Sequence, residues 1–324
     1  MIQKMVTEIF IKRLGKLNKG SKRIMSYKEA ILSELVKISS GHIWCEGAAW
    51  LQHSNQLLFS DVKKNAMYVY DPKNKETTLV TDQSNFSNGN YALSNGDVVT
   101  CEHGRRCLAV RNKDNLSVAK IIVDKFDGKR LNSPNDVVER KSDGTIWFTD
   151  PPYGIISDEE GFKSESQMIG CYVYCYNPVT NYLNIATSDV QRPNGLVFSP
   201  DESTLYVADM SIVDFPTQGL RHIKSFDVEG ERLVNGRLVY EVEKGIPDGM
   251  TVDNFGTLYC SSAEGILILD PNMVLVGKIP TPESVSNCIF DDVQNTLYIT
   301  ASSSVYAIEI DCEALSMISE PLCG

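Results

Sequence analysis

Apolar and polar positions alternate with a period of two along most of this chain, and the alternation is cut at regular intervals by Gly, Asn, Asp and Ser. One unit returns six times: a polar residue, an apolar strand, a turn, then a second apolar strand. The second strands read QLLFSD, GDVVTCE, GTIWFTD, STLYVAD, GTLYCSS and NTLYITA. Period-two patterning bounded by turn residues predicts β-hairpins. The residues that open the units are Glu46, Asn88, Asn135, Asn194, Asp248 and Asn287, spaced 42, 47, 59, 54 and 39 residues apart. A second hairpin follows several of the first, as in VYDPKNKETTLV, CYVYCYNPVTNYLNIAT and SFDVEGERLVNGRLVY. Each unit is therefore expected to hold four antiparallel strands, which is one blade of a β-propeller.

The expected fold is all-β: a six-bladed β-propeller over 41–324, preceded by a basic extension over 1–40 carrying one short helix. Residues 26–38 (SYKEAILSELVKI) supply that helix, with Ser26 as N-cap and Glu29 three residues on. No helical periodicity is convincing beyond about residue 38. The first thirty residues carry eight Lys or Arg and two Glu, a net of +6 that leaves −17 for the rest. They lack the apolar run and cleavage site of a secretory signal. An organellar presequence, a loosely docked extension and a later start at Met25 are the readings this segment allows.

In an antiparallel hairpin the start of the first strand and the end of the second lie on one face. That pairs Glu46 with Asp61, Asn135 with Asp150 and Asn194 with Asp209 at a spacing of 15, and Asn88 with Glu102, Asp248 with Ser262 and Asn287 with Ala301 at 14. The first strand of a blade is innermost, so the openers ring the axis and the strand ends stand behind them. Taken singly, an Asn or Asp before a strand is an ordinary turn residue. Taken in phase, Glu46, Asn194 and Asp248, with Asn135 and Asn88 nearby, form a pocket of oxygens. Two carboxylates aimed at one axis are costly unless a cation or proton compensates. A hard divalent cation suits such a pocket, calcium before magnesium.

Bulk properties narrow the function further. A net charge of −11 argues against nucleic acid as a partner, and no run of eighteen apolar residues marks a membrane-spanning helix. Nine cysteines without a CxxC pair, several of them inside apolar strands, read as reduced core thiols in a cytoplasmic protein. Cys171 and Cys175 alone are a weak zinc signal. A monomer or small homo-oligomer is expected.

The ordered motifs EGAAWLQHSNQLLFSDV, SNGDVVTCEHGRRCLAV, LNSPNDVVERKSDGTIWFTDPPYGI, RPNGLVFSPDESTLYVAD, IPDGMTVDNFGTLYC and SNCIFDDVQNTLYIT, together covering about 43–311, resemble the SMP-30/gluconolactonase/luciferin-regenerating-enzyme family of six-bladed propellers, and its gluconolactonase branch in particular. The resemblance implies that Glu46, Asn194 and Asp248 hold a divalent metal and that Asn135 contacts substrate or water. Ca²⁺ is the expected ion, with Zn²⁺, Mn²⁺ and Mg²⁺ as alternatives. Some members carry an Arg where this chain has Ser133, and the usual Pro is Ala48. The implied activity is hydrolysis of a sugar lactone such as D-glucono-1,5-lactone. In it the cation polarises the carbonyl and Asp248, as ligand and base, activates water. His103 and Arg105 of CEHGRR are further expected substrate contacts, and Asp150, Glu102 and Asn88 are reserve candidates. No GxSxG nucleophile motif is present. The rival readings are another cation-dependent hydrolase (phosphotriesterase or aryl-lactonase), a non-catalytic calcium-binding propeller, and a protein-interaction propeller.

Overall fold

The computed structural model describes residues 26–293 and 295–318. Six four-stranded antiparallel sheets are arranged as the blades of a propeller, five of them with their strands in chain order from the axis outward. Blade 1, for example, is Cys45–Leu51, Gln56–Asp61, Ala66–Asp71 and Glu76–Thr81. The innermost strands of the other blades are Ser87–Ala92, Val137–Arg140, Pro193–Phe198, Met250–Val252 and Val285–Phe290. Each innermost strand packs against the next, and the sixth against the first, so the ring is closed. Closure removes the exposed inner edges that an open sheet would leave.

The core lies between blades. Trp147, Val173 and Cys175 of blade 3 meet Leu196, Leu205 and Phe226 of blade 4 in one apolar cluster. All eight described cysteines are buried, and Cys45, Cys101, Cys175 and Cys260 are wholly inaccessible core residues. Among the described residues no helix is long and apolar enough to cross a membrane.

The sixth blade corrects the reading of the N-terminus. The helix expected over 26–38 is confined to Tyr27–Ala30, and the Ser26 side chain makes no capping bond. Val36–Ser40 is instead a strand, paired antiparallel with Ser304–Glu309 as the outermost strand of blade 6. It lies before the expected boundary at 40/41, so the sheet is completed by a segment from the extension. The alternating VKISS pattern prevailed because an unpaired strand edge was available to it. Residues 1–25, which hold most of the basic charge, lie outside the described residues. A chain cut to 41–324 is expected to leave Ser304–Glu309 unpaired. Losing several ladder bonds at roughly 1 kcal/mol each predicts a Tm lower by about 5–10 °C. Thermal unfolding of both chains checks this, and equal Tm values would mean the closing strand contributes little.

Candidate metal centre and active site

The inner strands are irregular where the openers sit. The pairing register slips between Glu46 and Ala49, Ser87 and Asn90, Pro193 and Leu196, and Val285 and Asn287. Such bulges re-aim side chains at strand ends. The residue after the opener is often glycine because the next blade's backbone comes very close. A Cβ on Gly47 would lie 1.9 Å from the carbonyl oxygen of Asn88, and one on Gly195 would lie 2.1 Å from that of Asp248. Hydrogen bonds stitch the ring from blade to blade. Ser60 Oγ donates to the Asn88 carbonyl (2.8 Å), Gly89 N to that of Asn135 (2.7 Å) and Thr149 Oγ1 to that of Asn194 (2.7 Å). Gly249 N donates to the Ser286 carbonyl (2.6 Å), and Ser286 Oγ to that of Cys45 (2.5 Å). The six openers are thus held on one rigid collar.

Glu46 is 5% exposed and accepts a bond from Trp44 Nε1 at 3.2 Å. Burial pushes its pKa well above the ordinary carboxylate range, and Asp248, Glu160 and Asp136 push it further, against the Trp44 bond. Asp248 keeps part of its surface open. Its carboxyl is raised to about 8, first by burial and then by Asp136 and Glu160, while the Asn194 amide acts the other way. Asp136 is raised to about 7 by burial, although it accepts the Val137 and Leu196 backbone N–H groups. Although these residues lie up to 202 positions apart in the chain, Asp248 acts on Glu46 and the Asn194 amide acts on Asp248. The charged groups that perturb the two carboxylates are all anionic.

The strand-end ring serves a different purpose. Asp61 accepts the backbone N–H groups of Ile43 and Trp44, Asp150 that of Asn132, and Asp209 those of Gln191 and Arg192. These carboxylates fix the loop that delivers each opener. The reserve candidate Asp150 is thus a loop anchor, raised to about 7 by burial. Glu102, also a reserve candidate, is fully buried between Arg105 and Arg111, with Arg111 Nη2 at 3.0 Å.

Two further expectations change in the structure. Arg105 directs its guanidinium to Glu102 and to the Ala119 carbonyl on the outer strand of blade 2, not to the opener ring. His103 is completely inaccessible, and burial lowers its pKa to about 4, so the imidazole is neutral. Its Nδ1 lies 3.1 Å from the Glu160 carbonyl, and its Nε2 lies 3.4 Å from Asn88 Nδ2. A neutral ring with the proton on Nδ1 satisfies both contacts. Both nitrogens are spent on positioning Asn88 and the segment above it.

That segment, 151–170, joins the second and third strands of blade 3 and lies outside the hairpin repeat. It brings Tyr153 and Glu160 over the collar. Glu160 also lies 3.6 Å from Lys63, whose ammonium stands 5.5 Å from the centre of the Trp44 ring. Neither Glu160 nor Tyr153 was identifiable from the repeat, since both sit in its longest insertion. DPPYG, directly after a strand-end Asp, was the only available signal. Asn135 and Asn287 are buried on the collar as expected, 5% and 7% exposed. A separate cavity of about 350 Å³ opens at the opposite end of the axis, lined by Trp50, Tyr91, Phe198 and Phe290 among others, and none of the six openers borders it.

Residues 44–303 match the profile of the SMP-30/gluconolactonase/LRE-like region. The chain belongs to this family. It is 31% identical over 314 residues to a gluconolactonase of Zymomonas mobilis, a match covering 91% of this chain and 86% of the relative. It is 23% identical to regucalcin of Xenopus laevis, over 85% of this chain and 86% of that one. Among solved structures, a gluconolactonase from Xanthomonas campestris superposes with a TM-score of 0.82 at 33% identity, covering 89% of this chain and 94% of that one.

The donor set fits a divalent cation. Two carboxylates act on each other with no balancing positive charge among the groups that perturb them, and the Asn194 amide acts on Asp248; all three side chains carry hard oxygen atoms. Glu46, Asp248 and Asn194 are the residues that would hold it.

Proposed function

We propose that the protein is a divalent-cation-dependent lactonase acting on a sugar lactone such as D-glucono-1,5-lactone, with calcium as the ion it uses. The observation that carries the reading is the repelling pair of buried Glu46 and partly open Asp248, with the Asn194 amide acting on Asp248. The gluconolactonases among its relatives support the reaction class. When bound, the cation supplies Lewis-acid polarisation of the lactone carbonyl.

Asp248 is the residue positioned to take a proton from the attacking water, because it is the opener carboxylate that keeps open surface. Its raised pKa makes it a stronger base than an ordinary carboxylate. Asn135 faces the same collar and is suited to orient a substrate hydroxyl. Asn88, fixed by His103, extends that polar surface. Water adds to the carbonyl carbon, the ring C–O bond breaks, and the departing oxygen gains a proton, giving the aldonic acid.

Titrating acid release at constant pH tests this with gluconolactone, an aromatic lactone and an organophosphate, each with and without EDTA. The expected result is fastest turnover of the sugar lactone, lost in EDTA and restored by calcium. Preference for the organophosphate would move the protein to phosphotriester chemistry. Calcium binding without turnover of any substrate would make it a binding protein.

A further inference from the structure

We propose that the hydroxyl of Tyr153 is a substrate contact, donating a hydrogen bond to an oxygen of the ester group as the lactone opens. The proposal rests on the lactonase reading and adds a residue to it. Tyr153 begins a single helical turn, Tyr153–Ile156, just after the strand-end Asp150. Its backbone is pinned from two sides. Ser133 Oγ donates to the Pro151 carbonyl at 2.7 Å and accepts from Gly154 N at 2.9 Å. Gly154 lies flat against His103, where an added Cβ would fall 2.4 Å from the histidine Cβ and 2.9 Å from that of Ser133. Phe162 N closes the segment onto the Gly154 carbonyl at 3.1 Å. The phenol is therefore placed by the collar itself and is not carried on a free loop.

The hydroxyl is shielded from solvent, and among the described residues no hydrogen-bond partner accepts from it. Asp214, Arg192, Asp248 and Cys171 are the ionisable groups close enough to act on it. Arg192 and Asp214 are committed to each other, and the Arg192 guanidinium also stacks on Phe215 with 4.9 Å to the ring centre. Cys171 Sγ is taken by Arg192 Nη1 at 3.5 Å. The segment that carries the phenol packs on His103 and Ser133, and His103 in turn holds the opener Asn88. A buried donor left unpaired is costly in the resting protein, and here it lies on the segment packed against the opener collar. A neutral O–H aimed at an oxygen that gains charge strengthens its bond as the reaction proceeds. The proton stays on the phenol throughout, so no further co-reactant is needed.

Ser133 takes its place in the same account. Its side chain is fully buried and is consumed in supporting the Pro151–Gly154 backbone. Position 133 thus contributes to the site indirectly, by setting where the phenol stands.

The experiment compares wild type with Tyr153→Phe, which removes one oxygen and keeps the ring. Steady-state rates on gluconolactone, calorimetric titration with Ca²⁺ alone and thermal unfolding are measured on both. Loss of a donor that acts in the transition state predicts a kcat lower by roughly a hundredfold, with KM, calcium affinity and Tm little changed. Wild-type turnover in Tyr153→Phe overturns the proposal. So does a fall in activity that tracks a matching fall in calcium affinity or Tm, which would make Tyr153 a support and not a contact. An inactive wild type overturns the lactonase reading itself, and this proposal with it, and is recognised before the variant is compared.

Discussion

Asp248→Asn is expected to abolish lactone hydrolysis, with kcat/KM falling by about a thousandfold or more, while the metal-free protein becomes more stable. The two effects have one cause. Asn keeps the volume and one oxygen of Asp248 but removes the charge that repels Glu46 and Asp136. The metal-free fold is relieved of a buried like-charge contact. The same change removes a proton acceptor that is shifted upward into the range where a base works near neutrality, and it weakens the charge available to a cation. A destabilising core substitution would lose activity and stability together, so the opposite signs identify the site. Initial rates at saturating calcium and unfolding in EDTA give both quantities. Wild-type turnover would take Asp248 out of the mechanism, and a lower Tm in EDTA would show that the pair does not repel.

How much of this was legible beforehand follows from what each signal encodes. Blade number, strand order and the collar were readable because a hairpin needs both its alternation and its turn, and six copies in phase make accident implausible. Glu46, Asn194 and Asp248 were readable for the same reason, as each occupies the same position in its own blade. Topology also placed Asp61, Asp150 and Asp209 behind the collar, but spacing does not say what a side chain bonds. Their work of anchoring loop N–H groups appears only in three dimensions. His103 and Arg105 follow a strand end on the right face, yet one is walled in and the other turns back to Glu102. Val36–Ser40 was hidden because its partner strand lies some 270 residues away, and local pattern is silent on such pairing. Tyr153 and Glu160 belong to an insertion, where no period exists to fix their phase.

Removing the cation is expected to have the second large effect, on both activity and the pH dependence of stability. In EDTA, Asp248 has a folded pKa near 8 and Glu46 one well above its ordinary value. In the unfolded chain both sit near 4. Between those limits the folded state binds more protons than the unfolded one, so stability falls as pH rises from about 4 toward 8. Asp136 and Asp150, each raised to about 7, contribute in the same sense. Asp61 and Glu283, held below their ordinary values by hydrogen bonds, act in the opposite sense but titrate beneath this window. A bound cation stabilises the ionised pair and should flatten the slope. At a hundred times its Kd it adds about 2.7 kcal/mol, a Tm higher by roughly 5 °C for a chain of this size. The check is a set of unfolding scans at pH 5, 6.5 and 8, with EDTA or calcium, beside activity at pH 6.5 and 8. The expected pattern is a Tm gap between calcium and EDTA that widens with pH, and turnover confined to the calcium samples. A gap that stays constant across the range would mean the ion binds elsewhere than at Glu46 and Asp248, and full turnover in EDTA would end the Lewis-acid account of the reaction.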